Sequence, residues 1–146
     1  MKNNLIKAYL DTATIFAEQS HARRLKVGAI IVKNNRIISI GWNGTPSGWD
    51  NNCEDEITWP NGEIRYLTTK EEVFHAEENA IIKLAKCGES GEGGIMFSTH
   101  APCIHCAKMI LGSGIIAFYY MHDYKDEKGL NFLNRSGIFY EKYERH

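Results

Sequence analysis

No block of basic residues stands out in this chain. Seventeen lysines and arginines face eighteen aspartates and glutamates over 146 residues, for a formal net charge of −1. Such a balance leaves no electrostatic footprint for a nucleic acid or a membrane surface. Any phosphate must then be met by one or two local side chains. An uninterrupted apolar run is also missing. The opening stretch, MKNNLIKAYLDTATIF, is amphipathic, with Leu5, Ile6, Tyr9, Leu10, Ala13, Phe16 and Ala17 on one helical face. It reads as neither a signal peptide nor a membrane span, so a cytoplasmic location is expected. Repeats and low-complexity tracts are absent. Cysteines number only four. In a reducing compartment they point to metal binding or free thiols rather than disulfides. The length suits one domain, residues 1–146, large enough to bury a core.

Secondary structure follows from spacing. A first helix is predicted from about Asn3 to Gln19. Two β-branched runs, Val27 to Val32 and Ile37 to Ile40, flank Asn34-Asn35 and predict an antiparallel hairpin. These runs are continuous rather than alternating, which suits strands covered on both faces. From about 43 to 70 the chain is polar and without periodicity, containing NGTPSG, CEDE and WPNG. This is expected to be a long functional loop over a ligand site. EEVFHAEENAIIKLAKCG predicts a helix with Val73, Ala76, Ala80, Ile81, Leu84 and Ala85 on one face and Gly88 as its C-cap. A strand (Gly94 to Thr99), a helix (Cys103 to Leu111, opened by Pro102 and closed by Gly112) and a strand (Ile115 to Met121) come next. A helix from about Asp126 to Asn134 and a last strand, IFYEKY, complete the chain. The alternation α-β-α-β-α-β implies parallel strands with right-handed crossovers.

The chemistry concentrates in THAPCIHCAK, Thr99 to Lys108. Cys103 and Cys106 share one face of a helix's first turn, where partial positive charge stabilises thiolates. The pair suits a metal or a redox disulfide. A thioredoxin-like motif belongs after the first strand, whereas this one follows the third. Zinc needs more ligands than two. His75 supplies a third, also at a helix start, with Glu77 two residues on. Two helix N-termini side by side at the carboxyl edge of a sheet would bring His75, Cys103 and Cys106 to one ion and leave a fourth position for water. Two thiolates cancel the charge of Zn²⁺, so that water needs a base beside it, and Glu77 is the candidate. His-x-Glu followed by Pro-Cys-x-x-Cys is the signature of zinc nucleobase deaminases. His105 should point away from the metal and His100 should lie near the site without ligating. Cys87 is expected to be a small buried apolar residue.

The segments KVGAIIV, RIISIGWNGTPSG, HAEENAI and HAPCIHCAKMI together resemble the deoxycytidylate (dCMP) deaminases of the cytidine deaminase superfamily, from about Ser20 to Tyr124. The resemblance implies an α/β three-layer sandwich. Its mixed five-stranded sheet would have an antiparallel first hairpin and then parallel strands, with helices on both faces. It implies His75, Cys103 and Cys106 as ligands of one Zn²⁺ and Glu77 as proton shuttle. Asn43 would contact the nucleoside, and the backbone at Ala76 and Ala101 the pyrimidine ring. The implied reaction is deamination of dCMP to dUMP by a zinc-activated water, with dUMP feeding thymidylate synthesis. Arg24 and Lys26 are the candidates for the 5′-phosphate, and Tyr120 and Tyr124 for closing the pocket. Such enzymes are often hexamers, activated by dCTP and inhibited by dTTP. An effector site, with Mg²⁺ accompanying the triphosphate, would involve Asn43, Gly44, Thr45, Ser47, Gly48, Lys83 and Lys86. The chain departs from the family in carrying Trp42 for a tyrosine. It also lacks a cysteine near Ala22, which leaves Cys53 a free thiol unless His21 joins it in a second zinc site. Two alternatives remain open. One is a deaminase of another cytosine or purine nucleoside or nucleotide; the other is a non-catalytic zinc nucleotide-binding module.

Overall fold

The computed structural model describes residues 1–144. Its first helix, α1 (Asn3–Ala17), buries Ile6, Leu10, Ala13 and Ala17, four members of the face read from spacing. β1 (Gly28–Lys33) and β2 (Arg36–Trp42) form the expected antiparallel hairpin. Asn34 and Asn35 make its turn with φ of 53° and 59°. A type I′ turn needs two successive residues at positive φ, a region asparagine tolerates better than most side chains.

The stretch from 43 to 70 is not structureless, which corrects the expectation. It pairs β3 (Glu54–Thr58) with β4 (Ile64–Thr69) as an antiparallel two-stranded sheet separate from the main one. Most of its side chains are exposed, and only Ile57, Leu67 and Thr68 are half-buried beside the buried Glu54. With neither face steadily apolar, the alternation that marks a strand is missing from the sequence. The hairpin is tied down at its base, where the Lys70 amide donates to the Cys53 carbonyl at 2.8 Å.

The remaining elements are α2 (Ala76–Cys87), β5 (Ile95–His100), α3 (Ile104–Gly112), β6 (Ala117–His122), α4 (Lys128–Arg135) and β7 (Phe139–Lys142). Five strands make the main sheet in the order β2-β1-β5-β6-β7. β5, β6 and β7 run parallel, joined by α3 and α4, while β1 is antiparallel to both β2 and β5. The start of β1 therefore lies beside the end of β5, where Ala29 pairs with Ser98. Successive side chains of β1 point to opposite faces. Ala29 and Ile31 join Ala80, Leu84, Ile110 and Leu133 from α2, α3 and α4 in one core cluster. Ile30 and Val32 join Ile6, Leu10 and Ala13 of α1 in the other. This is the α/β sandwich with helices on both faces.

Two glycines set how closely the site-bearing segments approach. A Cβ on Gly41 would lie 2.3 Å from the Ala76 carbonyl oxygen, so only glycine lets the first turn of α2 press onto β2. A Cβ on Gly129 would lie 2.0 Å from the Pro102 carbonyl oxygen, where α4 rests on the entrance to α3.

Details of the helices differ from the sequence expectation. The buried face of α2 comprises Ala76, Glu77, Ala80 and Leu84. Ala85, placed on that face by spacing, is exposed, and so is Cys87, expected to be buried. Both fall on the solvent side of the last turn. Cys103 stands at the N-cap of α3 rather than within it. Among the described residues no helix is long and apolar enough to cross a membrane.

Candidate functional site

His75 is the N-cap of α2, and its amide donates to the Glu78 carboxylate at 3.0 Å. Cys103 caps α3 by accepting from the Cys106 amide at 3.4 Å. The two helix tips meet. His75 Nδ1 lies 3.4 Å from the Sγ of Cys103 and 3.4 Å from that of Cys106, and the three donors fall within 4.8 Å of one another. A tetrahedral zinc with bonds of about 2.3 Å to sulfur and about 2.0 Å to nitrogen sets neighbouring nitrogen and sulfur donors about 3.5 Å apart. The cluster fits that ion without rearrangement. Cys53 and His21 belong to no such group among the described residues. Cys53 is a buried free thiol and His21 is exposed.

The thiols share their protons unequally. The hydrogen bond with Cys106 holds Cys103 down to about 4, aided by His75. The same contact, with burial, pushes Cys106 up. His75 is raised, chiefly by its hydrogen bond to Cys103. Glu77 is 4% exposed. Burial pushes its carboxyl up to about 7, against the opposing pull of His75. Its Oε1 accepts from the buried Ser98 hydroxyl at 3.3 Å.

These groups open onto a cavity of about 330 Å³, within the range of small-molecule sites. His75, Glu77 and Cys103 line it with Ala76 and Ala101. Asn43 also lines it, with both ends of its amide engaged: Oδ1 accepts from the Val27 amide at 2.9 Å and Nδ2 donates to the Leu25 carbonyl at 2.8 Å. Arg24 and Tyr124 contribute to the wall. Lys26 and Tyr120, expected at the phosphate and at the pocket's closing wall, do not. Lys26 is exposed outside the cavity. Tyr120 packs in the core at 6% exposure, because alternation along β6 turns it inward.

Of the histidines expected not to ligate, His105 is exposed and His100 lines the cavity. Thr99 bonds His100 Nδ1 at 2.7 Å. Burial and the neighbouring His122 lower His100 to about 4. Gly44 pairs with Phe74 in an isolated bridge, and Thr45 is half-buried while Ser47 and Gly48 are exposed. The Lys83 ammonium donates to the Ile40 carbonyl at 2.6 Å and lies over the Trp42 ring at 4.9 Å, while Lys86 is exposed. The sequence reading missed Glu54, Thr69, Asp123 and Lys125 on the wall. Lys125 carried a usable signal, since it follows β6 at the same carboxyl edge of the sheet as Cys103.

The chain is similar to known proteins along nearly its whole length. The family model for the cytidine and deoxycytidylate deaminase zinc-binding region matches residues 3–122. Deoxycytidylate deaminase of Enterobacteria phage T4 is 35% identical, covering 82% of this chain and 78% of its own length. ComE operon protein 2 of Bacillus subtilis is 34% identical, covering 93% and 69%. The crystal structure of dCMP deaminase from the cyanophage S-TIM5, in complex with dCMP and dUMP, superposes with a TM-score of 0.86 at 42% identity, covering 98% of this chain and 99% of that one.

Proposed function

The chain belongs to the cytidine and deoxycytidylate deaminase family, and from that premise we propose that it is a zinc-dependent hydrolase converting dCMP to dUMP. The observation that carries this is the convergence of His75, Cys103 and Cys106, with the buried Glu77 beside them, at the wall of a cavity that His75, Glu77 and Cys103 line. His75 Nδ1 and the two sulfurs would hold the ion. When bound, zinc acts as a Lewis acid that acidifies a water beside it.

Glu77 does the proton work. Its carboxylate takes a proton from the attacking water and returns it to the departing amino nitrogen, so water adds at C4 of cytosine and ammonia leaves. Ser98 donates to one of its oxygens and holds the carboxyl in place for this transfer. The backbone at Ala76 and Ala101 borders the ring, and Asn43, braced at both ends, meets the sugar. Arg24 meets the 5′-phosphate with a bidentate-capable guanidinium. Tyr124 closes the wall.

In its biological setting, the product dUMP would supply thymidylate synthesis in the cytoplasm. An effector site for dCTP and dTTP, with Mg²⁺, would draw on residues 43–48, Lys83 and Lys86 of a hexamer. The support is proximity, since Lys83 reaches across to Ile40 and Trp42 at the base of that turn. Ammonia release from dCMP, deoxycytidine, CMP and dCTP, with and without the two effectors, tests the whole reading. The expected result is a preference for dCMP and a rate that responds to the effectors. Equal turnover of deoxycytidine would remove the phosphate assignment. No turnover of any cytosine substrate by zinc-loaded protein would remove the reaction itself.

A further inference from the structure

The β3–β4 hairpin touches the cavity only through its open end. Glu54, the first residue of β3, and Thr69, the last of β4, face each other in the ladder, and both line the cavity. Each grips the segment that carries Arg24. The Glu54 side chain is 1% exposed. Its two carboxylate oxygens accept from the Arg23 amide at 3.2 and 3.0 Å, and one accepts from the Arg24 amide at 3.1 Å. A buried carboxylate is tolerated only when it is bonded in this way. Thr69 Oγ1 accepts from Arg24 Nη1 at 3.0 Å.

The two adjacent arginines divide the labour. Arg23 directs its charge at the hairpin, with Nε 3.6 Å from Glu54 and Nη1 3.0 Å from Glu56. Among the described residues Arg24 forms no ion pair. A guanidinium has five N–H donors in a fixed fork. Spending one on a neutral hydroxyl fixes its direction and leaves the charge and the other donors for an anion.

We propose that Glu54 and Thr69 are positioning residues that aim Arg24 at the 5′-phosphate, so that the β3–β4 hairpin sets the preference for nucleotide over nucleoside. This rests on the assignment of Arg24 to the phosphate made above. Within the hairpin, Glu54 holds the Arg24 backbone and Thr69 its side chain.

The test is the ratio of kcat/KM for dCMP to kcat/KM for deoxycytidine in zinc-loaded protein. Thr69→Val should lower that ratio roughly tenfold, the scale of one hydrogen bond to a charged group, through a higher KM for dCMP. Thr69→Ser, which keeps the hydroxyl, should restore it. Glu54→Gln should lower the ratio too, and the Thr69 pair decides the matter if that variant fails to fold. On an Arg24→Ala background Thr69→Val should shift the ratio no further. If Arg24→Ala lowers the ratio but Thr69→Val and Glu54→Gln leave it at the wild-type value, the positioning role is overturned and the phosphate assignment stands. If Arg24→Ala itself leaves the ratio intact, the phosphate assignment falls and the positioning role with it.

Discussion

Glu77 is a carboxyl group placed where few charges survive, 4% exposed beside three side chains that could hold a metal ion. Its use depends on how firmly it is aimed. Glu77→Gln keeps the shape and would lose the proposed proton transfer. We expect it to retain one zinc per chain while kcat falls by at least about a hundredfold, measured by metal analysis and ammonia release. Ser98→Ala frees the Glu77 oxygen that Ser98 now holds. It should slow kcat by about tenfold with zinc content intact, the cost of a hydrogen bond to a charged group. Gly129→Ala drives a methyl group against the Pro102 carbonyl, and overpacking of this kind costs about 1–3 kcal/mol. A lower melting temperature together with weaker zinc retention is the expected outcome. An unchanged melting curve would show that α4 yields there at no cost. That His75, Glu77, Cys103 and Cys106 come together was legible in the sequence, because metal and base chemistry admit few residue types at few spacings. Ser98 was not. Its role comes from a partner 21 residues away that only the fold brings near.

At the scale of elements, the site is made of two helix ends. The tips of α2 and α3 bring an imidazole and two thiols together, and an ion held there would tie the two helices to each other. Stripping zinc with a chelator should therefore lower the melting temperature by roughly 10 °C when zinc stands about a thousandfold above its Kd. One equivalent of zinc should restore it, as followed by calorimetry. A metal-free protein that melts at the holoprotein's temperature would contradict the ligand set. The helices were readable because each buries a periodic face, and β1, β5 and β6 because a strand covered on both faces is a continuous apolar run. The β3–β4 pair was not, since it stands apart from that sheet with most side chains in water. Its order comes from contacts such as Arg23 to Glu54 and Arg24 to Thr69, which no local pattern records.

Across the whole molecule, acid acts on groups whose hold on a proton the fold has changed. His100 is lowered to about 4 by burial and by His122, whereas an unfolded histidine titrates near 6.5. Its contribution to stability is thus present above about pH 6.5 and drains away as the pH falls toward 4, because the unfolded chain binds the proton and the folded one does not. Between pH 7 and pH 4.5 the urea midpoint of wild type should lose ground relative to that of His100→Gln, because Glu77 and His75, raised in the fold, act equally in both. Parallel curves for the two would sink this account.

The reversed direction of β1 has a further consequence. It delivers residues 20–27 to the reactive edge and sends the tight turn at Asn34 and Asn35 to the far rim, beside the start of β5, where Val32 pairs with Ile95. Both asparagines are exposed. That rim is the natural place to splice in a fluorescent label or purification tag, or to open the backbone for circular permutation, with turnover preserved.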